Sequence, residues 1–171
     1  DLDLASEKSL RAMLENYTGG NLKWGLSAAG YLDPDIFRFF HNNKIELISG
    51  YGMTEATGGI TMTPPGDYVV NSVGKSLPGI ELKISSDGEL CMRGPYVSNG
   101  FYKTKNSISF KKGWFHSGDI FEQKDGHYFI LDRKKDIYKN SRGQTIAPQK
   151  IENLFQDFDF IKSVFLVGDG K

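Results

Sequence analysis

The spacing of apolar residues predicts that helices and strands alternate through the first 60 residues. Apolar side chains recur with helical spacing over residues 5–18, and two glycines follow that end a helix. A short strand is predicted from Leu22 to Leu26. A second helix then begins at Asp33-Pro34, with the aspartate as N-cap and the proline at the first helical position. Ile45 to Ile48 forms a second strand. This alternation is typical of an α/β layer with parallel strands.

The pattern changes near residue 61, where shorter apolar segments are separated by turns. They predict strands at 81–85, 89–93, 114–123 and 127–132, the last two joined by a hairpin turn. After residue 134 a helix begins at Pro148 and a strand covers 161–167. A strand needs neighbours for its backbone groups, so we expect this last domain to be cut short.

The predicted fold class is therefore α/β plus β, in three parts. Residues 1–60 form the end of an α/β layered subdomain of a larger N-terminal domain. Residues 61–134 form a small antiparallel β subdomain that resembles a barrel. Residues 135–171 form a hinge and the start of a small α+β C-terminal domain.

Composition narrows the class of protein. Lys and Arg number 21 and Asp and Glu number 21, and this zero net charge argues against a protein that binds duplex nucleic acid. Cys91 is the only cysteine, so no disulfide forms within the chain and a reducing, cytoplasmic location is expected. There is no signal-peptide pattern, and no apolar run approaches the roughly 18 residues of a membrane span. A first residue other than Met suggests a piece of a longer protein.

The segment Ser49-Gly50-Tyr51-Gly52-Met53-Thr54-Glu55 is the first candidate site. It follows a predicted strand, and in α/β sheets ligands bind beyond the carboxyl ends of the strands. The ring of Tyr51, the hydroxyl of Thr54 and the carboxylate of Glu55 suit a base, a phosphate and a magnesium ion in that order. The alternative interpretation is a glycine-rich turn with a solvated Glu55, and spacing alone does not decide between the two.

Two later segments add candidate polar groups. Asp119 ends the segment Trp114 to Asp119, and its two oxygens could each accept a hydrogen bond from one hydroxyl of a ribose. Arg133 lies in the charged run 132–136 and offers five donors in a fixed fork. The alternatives are a turn aspartate and a solvated charged surface.

The order of these segments resembles the superfamily of acyl-CoA synthetases, firefly-type luciferases and peptide-synthetase adenylation domains. The segment 51–55 is similar to its aromatic-Gly-x-Thr-Glu motif, and residues 73–79 are similar to its Gly-x-x-x-Pro-Gly segment. Residues 88–95 resemble its Gly-Glu-Leu to Arg-Gly stretch, and residues 114–119 resemble Trp-Phe-x-Thr-Gly-Asp, with Ser117 replacing Thr. Residues 146–152 are most similar to long-chain fatty acyl-CoA synthetases.

The resemblance implies a role for each matched residue. Tyr51 would stack on adenine, beside Gly52 and the small-residue loop of Ala29 and Gly30. Thr54 would contact the α-phosphate and Glu55 would bind Mg²⁺. Asp119 would hold the ribose hydroxyls with help from Arg133. Lys135 would be the hinge at which the small C-terminal domain rotates between the two half-reactions, adenylation and thioester formation.

The parent enzyme implied by the resemblance converts a fatty acid, ATP and CoA into acyl-CoA, AMP and pyrophosphate through an acyl-adenylate. We expect the chain alone to be inactive, because no segment resembles the family's phosphate loop or its catalytic C-terminal lysine. One alternative is a free-standing nucleotide-binding or interaction module that does not catalyse. Another is an adenylation enzyme whose acceptor is a carrier-protein thiol. Further expectations are self-association through apolar surface on residues 1–60 and peripheral association of the parent with a membrane.

Overall fold

The first sheet combines two parallel strands with two antiparallel ones. The computed structural model describes residues 2–104, 109–155, 158 and 160–168. In chain order the elements are α1 (Leu2–Thr18), β1 (Trp24–Ala28), α2 (Pro34–Asn42), β2 (Glu46–Met53), β3 (Gly58–Met62) and β4 (Lys75–Ser76). The strand order is β1-β2-β3-β4, and only β1 and β2 are parallel. The predicted α/β alternation is therefore confirmed, but the sheet continues beyond it, because β3 crosses residue 60.

The capping residues of α2 act as the sequence predicts. Asp33 Oδ1 accepts hydrogen bonds from the backbone N–H groups of Asp35 at 2.7 Å and Ile36 at 3.2 Å. Pro34 occupies the first turn, where its missing N–H costs nothing. Neither α2 nor any other helix in the described ranges is long and apolar enough to cross a membrane.

The second sheet contains five antiparallel strands. They are β5 (Glu81–Ile84), β6 (Glu89–Arg93), β7 (Phe110–Lys111), β8 (Trp114–Lys124) and β9 (His127–Arg133). The order is β5-β6-β8-β7, with β9 paired to the far part of β8. The predicted antiparallel β subdomain is confirmed, but it is an open sheet: within the described part of the chain it does not close into a barrel.

The last part of the chain is less regular than predicted. It contains a two-stranded ribbon of β10 (Tyr138–Lys139) and β11 (Thr145–Ile146), followed by the short helix α3 (Pro148–Glu152). The predicted strand at 161–167 is wrong, because residues 161–168 form no strand. The backbone N–H of Leu166 instead donates to Glu152 Oε1 at 2.7 Å. An apolar segment becomes a strand only where a neighbouring strand pairs with it.

One apolar core joins the two sheets. Ile60 of β3 packs with Leu90 and Met92 of β6 and with Phe115 and Phe121 of β8, all of them buried. Burying each such side chain contributes about 1.5–3 kcal/mol. This packing fixes the end of β2 against β8, and the candidate site lies between these two strands.

Apolar side chains also remain exposed on the first 60 residues. Tyr17, Trp24 and Leu26 are 83%, 60% and 54% exposed. The apolar surface expected on this part of the chain is therefore present.

Candidate nucleotide site

The carboxyl ends of β1 and β2 meet at one edge of the first sheet. Ala28 is the partner of Gly50 in the parallel ladder, so Ala29 and Gly30 leave β1 beside Tyr51. The segment from Ser49 to Met53 belongs to β2 rather than following it, which corrects the sequence interpretation. Beyond Gly50, β3 is the only strand paired with β2 among the described residues. Within that part of the chain, the β1 side of Tyr51 has no strand partner.

The two glycines that flank Tyr51 have a structural explanation. A Cβ on Gly52 would overlap the carbonyl oxygen of Gly58 on β3, and a Cβ on Gly50 would lie 3.0 Å from the carbonyl oxygen of Thr61. Both glycines therefore allow β3 to approach β2. This close approach of the two strands is enough to explain the glycine at position 52, and contact with a ligand is not needed for the explanation.

Asp119 lies on a bulge of β8. Cys91 is paired with His116 and Glu89 with Ile120, so residues 117–119 of β8 lie opposite one residue of β6. Gly118 adopts a φ of 76°, a conformation that favours glycine. Bulges re-aim side chains and occur next to active sites. Here the bulge turns the Asp119 side chain inward, and the residue is only 3% exposed.

The structure brings Tyr51, Asp119 and Arg133 together. The Tyr51 hydroxyl donates a short hydrogen bond to Asp119 Oδ2, and the Tyr51 ring packs edge-on against Phe121 with centroids 4.9 Å apart. Arg133 Nε lies 3.0 Å from Asp119 Oδ1. That contact is an ion pair without hydrogen-bond alignment, and Oδ1 accepts no hydrogen bond from the described residues. Asp119 thus keeps acceptor capacity for a further donor.

Burial dominates the electrostatics of this group. It raises the pKa of Asp119 above its usual value, although the Tyr51 hydrogen bond and the Arg133 charge act in the opposite direction. Burial also raises the pKa of Tyr51, and the neighbouring Asp119 raises it further. Tyr51 therefore remains a neutral hydrogen-bond donor at physiological pH.

Thr54 and Glu55 lie on a 3₁₀ turn directly after β2. Thr54 is exposed and Glu55 is half-buried, while the Glu55 carbonyl accepts the N–H of Ser98 at 2.6 Å. No ion pair to the Glu55 carboxylate occurs within the described ranges. Those ranges also contain no group of three His, Cys, Asp or Glu residues that could hold a metal. A single carboxylate such as that of Glu55 fits a magnesium ion whose other ligands are substrate phosphates.

Residues 134–136 connect β9 to the last part of the chain. The Arg133 carbonyl accepts the N–H of Asp136 at 3.0 Å, so Lys135 lies in an exposed turn. The preceding Asp132 is 1% exposed, and its Oδ2 accepts the N–H of Gln149 in α3 at 3.1 Å. The residue predicted as the hinge thus lies between β9 of the second sheet and the β10–β11 ribbon that precedes α3.

Sequence reasoning missed Glu89, which is the buried carboxylate behind the Asp119 bulge. Its Oε1 accepts the Gly118 N–H at 2.9 Å, and its Oε2 lies 2.8 Å from Lys134 Nζ. Burial acts to raise the pKa of Glu89, but the contacts with Lys134, His116 and the Gly118 N–H outweigh it, so the pKa lies below its usual value. One feature of the sequence indicates Glu89: it is a carboxylate that directly precedes the apolar run Leu90-Cys91-Met92 within a predicted strand.

Comparisons with known proteins agree with this arrangement. Residues 3–102 match the model of a family described as AMP-binding enzyme. The long-chain-fatty-acid–CoA ligase FadD15 of Mycobacterium tuberculosis is 32% identical over 167 residues, which cover 96% of this chain and 27% of that protein. The peroxisomal long chain acyl-CoA synthetase 6 of Arabidopsis thaliana is 35% identical over 179 residues, covering 91% of this chain and 25% of that protein. The chain thus spans about a quarter of these relatives.

A solved structure has a similar fold. It is the O-succinylbenzoate coenzyme A synthetase of Bacillus subtilis in complex with ATP and magnesium ion, at 26% identity. The TM-score is 0.71, and the similarity covers 78% of this chain and 31% of that enzyme. The predicted combination of an α/β part and a β part is confirmed as the fold of an adenylate-forming enzyme.

Proposed function

Because the chain belongs to the AMP-binding enzyme family, we propose that it forms the nucleotide side of an AMP-forming acyl-CoA ligase. In this reaction a fatty-acid carboxylate oxygen attacks the α-phosphorus of ATP, and pyrophosphate leaves. The thiolate of CoA then attacks the carbonyl carbon of the acyl-adenylate, and AMP leaves. The names of the two curated relatives support a long-chain fatty acid as the acid substrate.

The observation that carries the proposal is the Asp119 carboxylate, buried on a β-bulge with unused acceptor capacity. Its neighbour Tyr51 presents an aromatic ring at the free edge of β2, and Arg133 supplies a positive charge. A carboxylate that accepts both hydroxyls of a ribose, beside a ring that stacks on adenine, recognises a nucleoside. We assign the ribose to Asp119 and Arg133 and the adenine to Tyr51, Ala29 and Gly30.

The phosphates of ATP would extend from the ribose toward the 3₁₀ turn after β2. We assign the α-phosphate to the exposed hydroxyl of Thr54 and a magnesium ion to the carboxylate of Glu55. When bound, Mg²⁺ neutralises the charge that develops on the phosphate oxygens. The protein's own contribution is to hold the nucleotide in line with the incoming carboxylate.

The deciding experiment measures ATP–pyrophosphate exchange by the full-length parent enzyme with fatty acids of increasing chain length. Asp119→Ala removes two charge-assisted hydrogen bonds to ribose, so we expect kcat/KM for ATP to fall about 100-fold. Glu122→Ala is the control, because Glu122 lies on the same strand but is exposed. Unchanged kinetics in Asp119→Ala would refute the ribose assignment.

The acceptor of the acyl group is tested in the same enzyme. We expect CoA to accelerate the release of AMP after the adenylate has formed, and a carrier protein not to do so. If a carrier protein accelerates AMP release and CoA does not, the parent would be an adenylation enzyme that uses a carrier-protein thiol rather than a CoA ligase. The isolated 171-residue chain serves as a further control and is expected to show no pyrophosphate exchange.

A further inference from the structure

A buried carboxylate behind the site has partners that explain its burial. Glu89 is 6% exposed, and a buried charge is stable only when it is paired and hydrogen-bonded. Lys134 Nζ lies 2.8 Å from its Oε2, and His116 Nδ1 lies 3.1 Å from the same atom. Its other oxygen, Oε1, accepts only the backbone N–H of Gly118 among the described residues, at 2.9 Å.

Gly118 is the residue on which the Asp119 bulge turns. The extra residues of the bulge remove the partly buried Gly118 N–H from the β6–β8 ladder, and an amide shielded from water needs another acceptor. Glu89 Oε1 supplies it. On the opposite side the Gly118 carbonyl accepts the N–H of Lys134 at 2.8 Å. Both backbone groups of Gly118 are therefore held, and the side chain of the next residue is aimed as a result.

Lys134, the first residue after β9, completes the arrangement. Its Nζ contacts Asp87 Oδ2 at 2.7 Å as well as Glu89. The contacts with Asp87 and then Glu89 raise the pKa of Lys134 to about 12, so the cation is present throughout the physiological range. The ion pair keeps Glu89 ionised, and an ionised carboxylate is the stronger acceptor for the Gly118 N–H.

We propose that Glu89 is a positioning residue for nucleotide selection: it holds the β8 bulge through the Gly118 N–H and thereby aims the Asp119 carboxylate at the ribose hydroxyls. The inference rests on the proposed function, because it requires Asp119 to bind ribose. Glu89 itself is buried behind the bulge, so we assign it no direct contact with the nucleotide.

The test compares ATP with 3′-deoxy-ATP in the full-length parent enzyme. The ratio of their kcat/KM values isolates the ribose contact, since both nucleotides share every other group. We expect the wild type to prefer ATP by about tenfold or more, the value of one charge-assisted hydrogen bond. In Glu89→Gln the neutral amide cannot serve both Gly118 and Lys134, so the ratio falls toward one. A purely structural loss would lower both kcat/KM values and leave the ratio unchanged.

The matched control is Glu81→Gln on the neighbouring strand β5. Glu81 is an exposed carboxylate that pairs with Arg93 at 2.6 Å, so the same substitution breaks an ion pair away from the bulge. Its ratio should equal that of the wild type. If Glu89→Gln does not fold, Glu89→Asp decides the question, because it keeps the charge but withdraws the carboxylate from Gly118 by one methylene.

The outcomes separate this inference from the proposed function. An enzyme that shows no ATP–pyrophosphate exchange with any acid, or an Asp119→Ala variant that keeps the wild-type ratio, would refute the proposed function or the ribose assignment. A folded Glu89→Gln variant that keeps the wild-type ratio while Asp119→Ala loses it would overturn the role of Glu89 alone. Glu89→Gln should also have no further effect on the ratio in the Asp119→Ala background, because the two residues act in series.

Discussion

Removing the Asp132 carboxylate should release the short helix α3 from the second sheet. Asp132 is 1% exposed, and its two oxygens accept the backbone N–H groups of Arg133 at 2.7 Å and Gln149 at 3.1 Å. The second bond spans 17 positions and caps α3, whose own N-cap residue, Ala147, has no side-chain hydrogen bond. A helix of five residues is not stable without tertiary contacts. In Asp132→Ala we therefore expect α3 to open locally.

The free-energy cost of losing the tether to α3 is set mainly by the bond to Gln149. Losing a cap of this kind costs about 0.5–2 kcal/mol, and the burial of the Asp132 carboxylate puts it at the upper end. A loss of about 2 kcal/mol corresponds to roughly a 30-fold increase in the population of the open state. The Arg133 bond adds less, because it joins neighbouring residues.

Hydrogen exchange of individual backbone amides measures this opening. In Asp132→Ala, exchange at Gln149 and Asn153 should accelerate about 30-fold, while amides of the buried strand β6 keep their protection. Asp136→Ala is the control, since it removes a carboxylate four residues away that forms no hydrogen bond or ion pair with α3 among the described residues. Unchanged protection at Gln149 in a folded Asp132→Ala variant would refute the role of Asp132 as the tether.

Three further predictions concern other positions. Gly52→Ala should destabilise the fold by about 3 kcal/mol in urea unfolding, because the new Cβ overlaps the Gly58 carbonyl; Gly30→Ala, with open space at its Cβ, should be near neutral, and equal effects would contradict the packing argument. The native pKa of Glu89 lies below its unfolded value, so the unfolded state binds more protons and the free energy of unfolding falls as the pH drops below the usual glutamate value. Glu89→Gln should make this fall less steep. An unchanged dependence of stability on pH in the acid range would contradict the prediction. In the parent enzyme, Lys135→Pro should spare adenylation more than thioester formation, because a fixed φ restricts rotation at the turn; equal loss of both steps would count against the hinge.

The sequence predicts those elements whose signals are local. The Asp33-Pro34 pair predicts the start of α2, because the capping side chain and the N–H groups it accepts lie within three residues. The strand at 89–93 has the predicted bounds, since alternating turn and apolar residues define both ends. The site residues come instead from the resemblance, which points to Tyr51, Asp119 and Arg133, and the structure places Tyr51 and Arg133 each against Asp119.

Other features depend on partners far along the chain and leave no periodic signal. Position 52 must be glycine because the carbonyl of Gly58 on the paired strand leaves no room for a Cβ. The sequence around Tyr51 gives no sign of this distant contact. The Asp119 bulge becomes visible only when β8 is aligned with β6, and its acceptor Glu89 lies 29 positions from Gly118. The strand predicted at 161–167 fails for the same reason, because its apolar pattern has no neighbour among the described residues.

Asp132 and Arg133 at the end of β9, and Lys134 directly after it, connect the nucleotide site to the last part of the chain. Asp132 accepts the N–H of Gln149, Arg133 pairs with Asp119, and Lys134 pairs with Glu89 behind the bulge. A rotation about Lys135 leaves the contacts of Arg133 and Lys134 in place, because both residues precede Lys135 in the chain, but it must break the bond from Asp132 to α3. The ribose contact can therefore persist while α3 moves, and the cost of that movement falls on the Asp132 tether. On this reasoning, a variant that weakens the tether shifts the balance between the two half-reactions without changing the preference for ribose over its 3′-deoxy analogue.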